Sequence, residues 1–164
     1  MSPIDQAALA KFKRYYLFYG PNNYKLDERV RSLIKAVIEP GSEPFDLDRF
    51  DGDRVDFSKV INAASTPPVI SSLRVTILTS VDKLSAQSLN RLEPFLSKIP
   101  AYSVLAMTAV KLDKRIKIFK RLAAEEKTNT FFFDLFKPAE AADLVVKAAA
   151  NRGKFIYLCG QRHR

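Results

Sequence analysis

Tyr15-Tyr16-Leu17-Phe18-Tyr19-Gly20-Pro21-Asn22-Asn23-Tyr24-Lys25-Leu26-Asp27 sets five aromatic or aliphatic residues in a row against a Gly-Pro turn and a helix start. An unbroken apolar run this short reads as a strand covered on both faces, the kind found in parallel sheets, because a half-exposed strand would alternate with polar residues. Asn22 and Asn23 can accept from the free N–H groups of a first helical turn. Leu26, Val30, Leu33, Ile34, Val37 and Ile38 then recur at helical spacing until Pro40-Gly41.

The strand-then-helix alternation continues downstream. Phe45 to Phe50 is expected to be a strand, followed by the turn Asp51-Gly52-Asp53 and a helix from Asp56 that turns Phe57, Val60, Ile61 and Ala64 inward. Pro67-Pro68 stops that helix. Arg74 to Thr79 predicts a third strand, Leu84 to Leu96 a helix, Ser103 to Thr108 a fourth strand, Asp113 to Glu126 a basic helix, and Thr128 to Phe133 a fifth strand. A last helix begins near Pro138, a residue suited to a first-turn position whose N–H would lack a partner. Strict alternation with short connections predicts a three-layer α/β fold, a five-stranded parallel sheet with helices on both faces. The expected boundary is Lys137-Pro138, which divides the chain into 1–137 and 138–164.

At 164 residues and 47% hydrophobic, the chain can close one core and begin a second unit. Charged residues at 27% and only 5 Gly exclude disordered and collagen-like classes. No apolar run reaches the roughly 20 residues of a membrane span, and Met1 to Arg14 lacks the apolar stretch of a signal peptide, so a cytoplasmic protein is expected. The one Cys, Cys159, excludes an intrachain disulfide and, with one His, His163, a Cys/His zinc site. The net charge of +9 makes a polyanion a plausible neighbour.

In an open α/β sheet, phosphates bind at the first strand-to-helix loop, here Gly20, Pro21, Asn22, Asn23 and Lys25. A P-loop, G-x-x-x-x-G-K-[ST], needs its second Gly so that backbone N–H groups can close on the phosphates, its Lys for the outer phosphates and its hydroxyl for magnesium. Counted from Gly20, those places hold Lys25, Leu26 and Asp27. The strand Val75 to Leu78 ends in Thr79-Ser80, where an ATPase would carry acidic residues for magnesium and water. The loop is therefore a degenerate nucleotide site; no cofactor, metal or catalytic residue is expected. Asp46, Asp48, Asp51, Asp53 and Asp56 cluster in sequence, a pattern that reads as turn and helix-cap acids before it reads as a metal site.

Taken together, Tyr16 to Gly20 before the degenerate loop, Phe50-Asp51-Gly52 before a short helix, Pro68-Val69-Ile70-Ser71-Ser72-Leu73-Arg74-Val75 running into a strand, and Lys111-Leu112-Asp113-Lys114-Arg115 resemble one family. It is the N-terminal region of the bacterial DNA polymerase III delta subunit, a clamp-loader protein of AAA+ descent, and the resemblance covers about residues 15 to 156. The resemblance implies an AAA+-like (P-loop NTPase-type) domain followed by the start of a small helical lid. It implies a subunit of the DNA polymerase holoenzyme that hydrolyses no ATP itself, binds the sliding clamp, and opens or holds open its ring interface with other clamp-loader subunits. Family members carry their clamp-binding element as an apolar pair on an exposed loop; Val69 and Ile70 occupy the matching positions, and Pro68 before them is counted with the same element. From the residues alone, Val69 and Ile70 fit either an exposed wedge or a buried strand lead-in.

Lys114, Lys117 and Arg121 follow i, i+3, i+7 spacing and would share one face of the basic helix, a possible sequence-independent contact to DNA or a neighbouring subunit. Two other readings therefore stand beside the clamp-binding one: a divergent ATP-binding domain using Lys25, and a nonspecific DNA-binding domain.

Overall fold

The computed structural model describes residues 11–126 and 128–151. Cys159, His163 and the tail from residue 156 lie outside the described residues. The aromatic run forms β1 (Tyr15–Tyr19), and α1 (Asn23–Val37) follows after three residues. A four-residue helical turn, α2 (Glu43–Asp46), leads into β2 (Leu47–Asp51), α3 (Phe57–Ser65), β3 (Arg74–Thr79), a 3₁₀ turn at Val81–Lys83 and α4 (Ala86–Leu96). Next come β4 (Ser103–Ala109), α5 (Lys117–Ala124), β5 (Thr130–Phe132) and α6 (Pro138–Asn151).

The five strands pair in the order β2-β3-β4-β1-β5, all parallel. Leu17 lies between Met107 on β4 and Thr130 on β5, and Ile77 on β3 lies beside Ala106 on β4. Successive side chains leave the sheet on opposite faces, so the continuous apolar strands feed two cores. On one face Leu17, Leu78, Leu105 and Met107 pack with Phe57 and Val60 of α3, Leu92 and Phe95 of α4, and Phe119 and Leu122 of α5. On the other, Phe18, Val75, Ile77, Val104 and Ala106 pack with Leu26, Val30 and Ile34 of α1. The α/β fold with a five-stranded parallel sheet and helices on both faces is thus the one expected.

Several boundaries moved for local reasons. The strand expected from Phe45 begins only at Leu47, because Pro44 favours the first turn of a helix and the Phe45 and Asp46 N–H groups return to the Ser42 carbonyl. The helix expected from Leu84 starts at Ala86, where Ser85 accepts from the Ser88 N–H at 3.2 Å. The basic helix starts at Lys117 rather than Asp113, since the Asp113 carboxylate accepts from the Arg115 N–H and its carbonyl from the Ile116 N–H, closing a turn that is not helical. At β5, the N–H groups of Thr128, Asn129 and Thr130 all return to the Glu125 carbonyl, which delays the strand to Thr130.

By contacts the chain divides into two compact units, with the break between Phe133 and Asp134. In the second unit Pro138 opens α6, and the Lys137 N–H donates to the Glu140 carboxylate at 3.1 Å. No described helix is long and apolar enough to cross a membrane.

Candidate functional site

Thr66 ends α3, its hydroxyl turning back to the Asn62 carbonyl at 2.8 Å, and Pro67-Pro68 then offers no N–H to continue a helix. The next three backbone N–H groups, of Val69, Ile70 and Ser71, donate to one carboxylate, that of Asp46, at 2.5, 2.9 and 2.6 Å. Asp46 has 0% of its surface exposed. Burial by itself raises an aspartate's pKa, but the donors from Ser71, Val69 and Ile70 more than reverse this and hold the carboxyl below its usual range. Bonds to an ionised group of this kind are worth on the order of 1.5–3 kcal/mol each.

Two further ties fix the same loop. The Ser71 hydroxyl lies 2.7 Å from that of Ser42 and accepts from the Glu39 N–H at 3.1 Å. Arg74, itself buried, donates through Nε and Nη2 to Asp48 at 3.0 and 2.6 Å and through Nη1 to the carbonyls of Phe45 at 3.1 Å and Pro67 at 3.5 Å. Leu73 is the residue that tucks under the sheet, at 2% exposed. Val69 and Ile70 remain 58% and 39% exposed, and Phe45, on the turn that carries Asp46, is 53% exposed. Three apolar side chains therefore stand in solvent on backbone held by a buried carboxylate and a buried guanidinium, an arrangement suited to entering an apolar pocket on a partner.

Sequence reasoning placed Asp46 among turn and cap acids and Phe45 in a strand. Neither residue's surroundings were legible, because Asp46 meets its donors more than twenty positions away. Of the other acids in that run, Asp48 likewise pairs at long range, with Arg74, while Asp51 accepts from the Asp53 N–H and Asp56 caps α3. Among the described residues no group of His, Cys, Asp and Glu is placed to hold a metal ion.

Of the residues expected to form a degenerate nucleotide loop, Gly20, Pro21 and Asn22 connect β1 to α1, and Asn23 and Lys25 lie in the first turn of α1. Gly20, at φ +136°, donates to the Ala109 carbonyl at 3.1 Å, and a Cβ there would sit 2.1 Å from the Phe133 carbonyl oxygen. Asn22 is buried, and its side-chain oxygen accepts from the Lys25 N–H at 3.1 Å, occupying a helix-start donor that a phosphate would need. The cavity over this loop, about 250 Å³, is lined by Asn23, Leu26, Asp27, Thr79, Ser80 and the end of β4. Its lining includes one acidic residue, Asp27, and three hydroxyl residues, Thr79, Ser80 and Thr108, but not Lys25, and it is smaller than the roughly 300–1,000 Å³ of common ligand sites. Magnesium-ATP at 1 mM is accordingly expected to leave the melting temperature unchanged in differential scanning fluorimetry. A site of 10 μM affinity would instead add about 2.7 kcal/mol, a rise of several degrees.

The three basic positions do not share a helix face. Lys114 precedes α5, Lys117 Nζ lies 3.3 Å from Glu93 and Arg121 Nε 3.7 Å from Glu125, so both helix cations face carboxylates. Beside them, hydrogen bonds from Arg115 to Asp113 hold that carboxyl down to about 2. A larger cavity of about 550 Å³ lies at the β5 edge, walled by Tyr16, Phe18, Phe131 and Phe133, with Arg29 over the Phe133 ring at 5.7 Å.

Residues 16–132 match the family model described as DNA polymerase III, delta subunit. The chain is 26% identical over 153 residues to the DNA polymerase III subunit delta of Bacillus subtilis (strain 168), an alignment covering 86% of this chain and 43% of that protein. Among solved structures it resembles the Bacillus subtilis DNA clamp loader delta protein, with a TM-score of 0.68 at 24% identity over 93% of this chain and 48% of the other. It also resembles a DNA polymerase III gamma subunit-related protein from Thermotoga maritima, with a TM-score of 0.60 at 16% identity over 88% and 49%. At those identities the two structural likenesses speak for the fold. The chain spans less than half the length of these relatives. With the family model matched across most of the sheet-bearing unit, the chain belongs to the DNA polymerase III delta subunit family.

Proposed function

We propose that this chain is the clamp-binding part of a clamp-loader delta subunit, docking Val69 and Ile70, with Pro68 before them, into an apolar pocket of the sliding clamp. The observation that carries the reading is an exposed apolar pair on a loop whose backbone is tied down by Asp46 and Arg74. Burying a Val or Ile side chain is worth roughly 1.5–3 kcal/mol when complete. A loop already held in one conformation keeps more of that gain as affinity, because less ordering remains to be done on binding. Phe45 beside it adds an aromatic contact that the loop pair itself lacks.

Opening the ring needs no hydrolysis in this chain. A bound protein shifts a closed-to-open equilibrium only by the difference in its affinity for the two states, so a wedge that fits the open interface better holds it open. In this reading ATP-driven loader subunits deliver and remove the wedge, the unit from Asp134 onward begins the lid, and assembly with those subunits belongs to a protein of the relatives' full length. The place of action is the cytoplasm, at the bacterial replisome. The test is surface plasmon resonance on an immobilised bacterial sliding clamp, with saturable micromolar binding expected and no binding at tens of micromolar overturning the proposal.

A further inference from the structure

Resting on that clamp-binding reading, we infer that Asp46 is the positioning residue of the docking surface, setting the presentation of Val69 and Ile70 without touching the partner. Its carboxylate is wholly buried and takes three consecutive backbone donors, one of them from each residue of the apolar pair and the third from Ser71. Only an ionised carboxylate suits this place, since it is acceptor-only and offers lone pairs on both oxygens. An amide of the same shape would point its own NH₂ at one or two of the N–H groups. The two prolines ahead have no N–H to share, and Ser71 Oγ is already engaged with Ser42 and Glu39.

The consequence is kinetic as well as thermodynamic. When only a fraction of molecules holds the binding conformation, the apparent Kd rises by the inverse of that fraction. With the contacting side chains intact, Asp46→Asn is expected to weaken clamp binding about tenfold or more, mainly through a slower on-rate. A Val69→Ser variant should act instead through a faster off-rate. A merely structural role would move neither rate far below the melting transition, where the variant is folded.

The experiment measures both rates by surface plasmon resonance for wild type, Asp46→Asn and Val69→Ser well below their melting temperatures, and amide hydrogen exchange at residues 69–71 in the wild-type chain. Slowed exchange at these three amides in wild type, with an on-rate loss in Asp46→Asn, is the expected result. Wild-type binding with an unchanged Asp46→Asn on-rate overturns this inference and leaves the clamp-binding reading standing. No wild-type binding overturns both. Should Asp46→Asn fail to fold, the wild-type exchange decides: rates of an unstructured peptide at residues 69–71 overturn the inference, and slowed rates support it.

Discussion

Replacing Val69 and Ile70 together by serine is expected to abolish clamp binding, a loss of about 100-fold or more, while the melting temperature stays within a degree or two of wild type. The two halves of this prediction come from the same fact. Val69 is 58% and Ile70 39% exposed and neither belongs to either core, so their truncation spares both cores, and surface substitutions of this kind change stability by about 0.5 kcal/mol or less. At an interface the same side chains would fill a pocket, where truncating one anchor costs about 2 kcal/mol or more. Surface plasmon resonance against the clamp, alongside thermal unfolding, reads both. A double variant that binds as wild type does would remove the loop from the interface.

Gly20→Ala is expected to produce the largest loss of stability of any single-methyl addition in the sheet-bearing unit, about 3 kcal/mol or more, lowering the melting temperature by on the order of 10 °C. At φ +136° a side chain is strained, and the added Cβ would lie 2.1 Å from the Phe133 carbonyl, where the chain leaves β5 beside β1. The Phe133 N–H to Tyr19 carbonyl bond at 2.8 Å pins that approach, so the backbone cannot retreat without unpairing the edge strand. Gly41→Ala is the control: its φ is +86° but nothing lies within 4 Å, so it should cost only the conformational strain, about 1–2 kcal/mol. Equal melting temperatures for the two variants would contradict the close-approach account.

The parts of the fold that follow local rules were legible. The unbroken run Tyr15–Tyr19 and the β-branched and aliphatic stretch Val75–Leu78 announce strands covered on both faces, and helical spacing from Leu26 to Ile34 announces the helix that covers one of them. Strand order was not spelled out by any local pattern, nor was the helical turn at Glu43–Asp46, where Phe45 and Phe50 suggested a longer strand. Asp46 illustrates why. An aspartate after Glu-Pro-Phe looks like a solvated turn acid, and only the fold brings the Val69, Ile70 and Ser71 N–H groups to it.

The loop from Pro67 to Leu73 was half legible. Pro67-Pro68 ruled out a helix, but an exposed wedge and a buried lead-in share the same two apolar letters. Leu73 resolves the ambiguity by taking the buried position, leaving Val69 and Ile70 outside. For the basic stretch, spacing alone failed because helical periodicity was carried across a turn: the Asp113–Ile116 turn keeps Lys114 out of the helix. At the nucleotide loop the missing Gly, Lys and hydroxyl were visible at once in the sequence, whereas the length of the connection follows from where α1 starts.

Methyl NMR of the chain labelled at Val and Ile, titrated with unlabelled sliding clamp, reads the loop itself. The Val69 and Ile70 methyl resonances are expected to shift or broaden first and most, while those of buried Val60 and Ile77 stay in place. Unperturbed Val69 and Ile70 methyls in a chain that nevertheless binds the clamp would contradict the proposed docking.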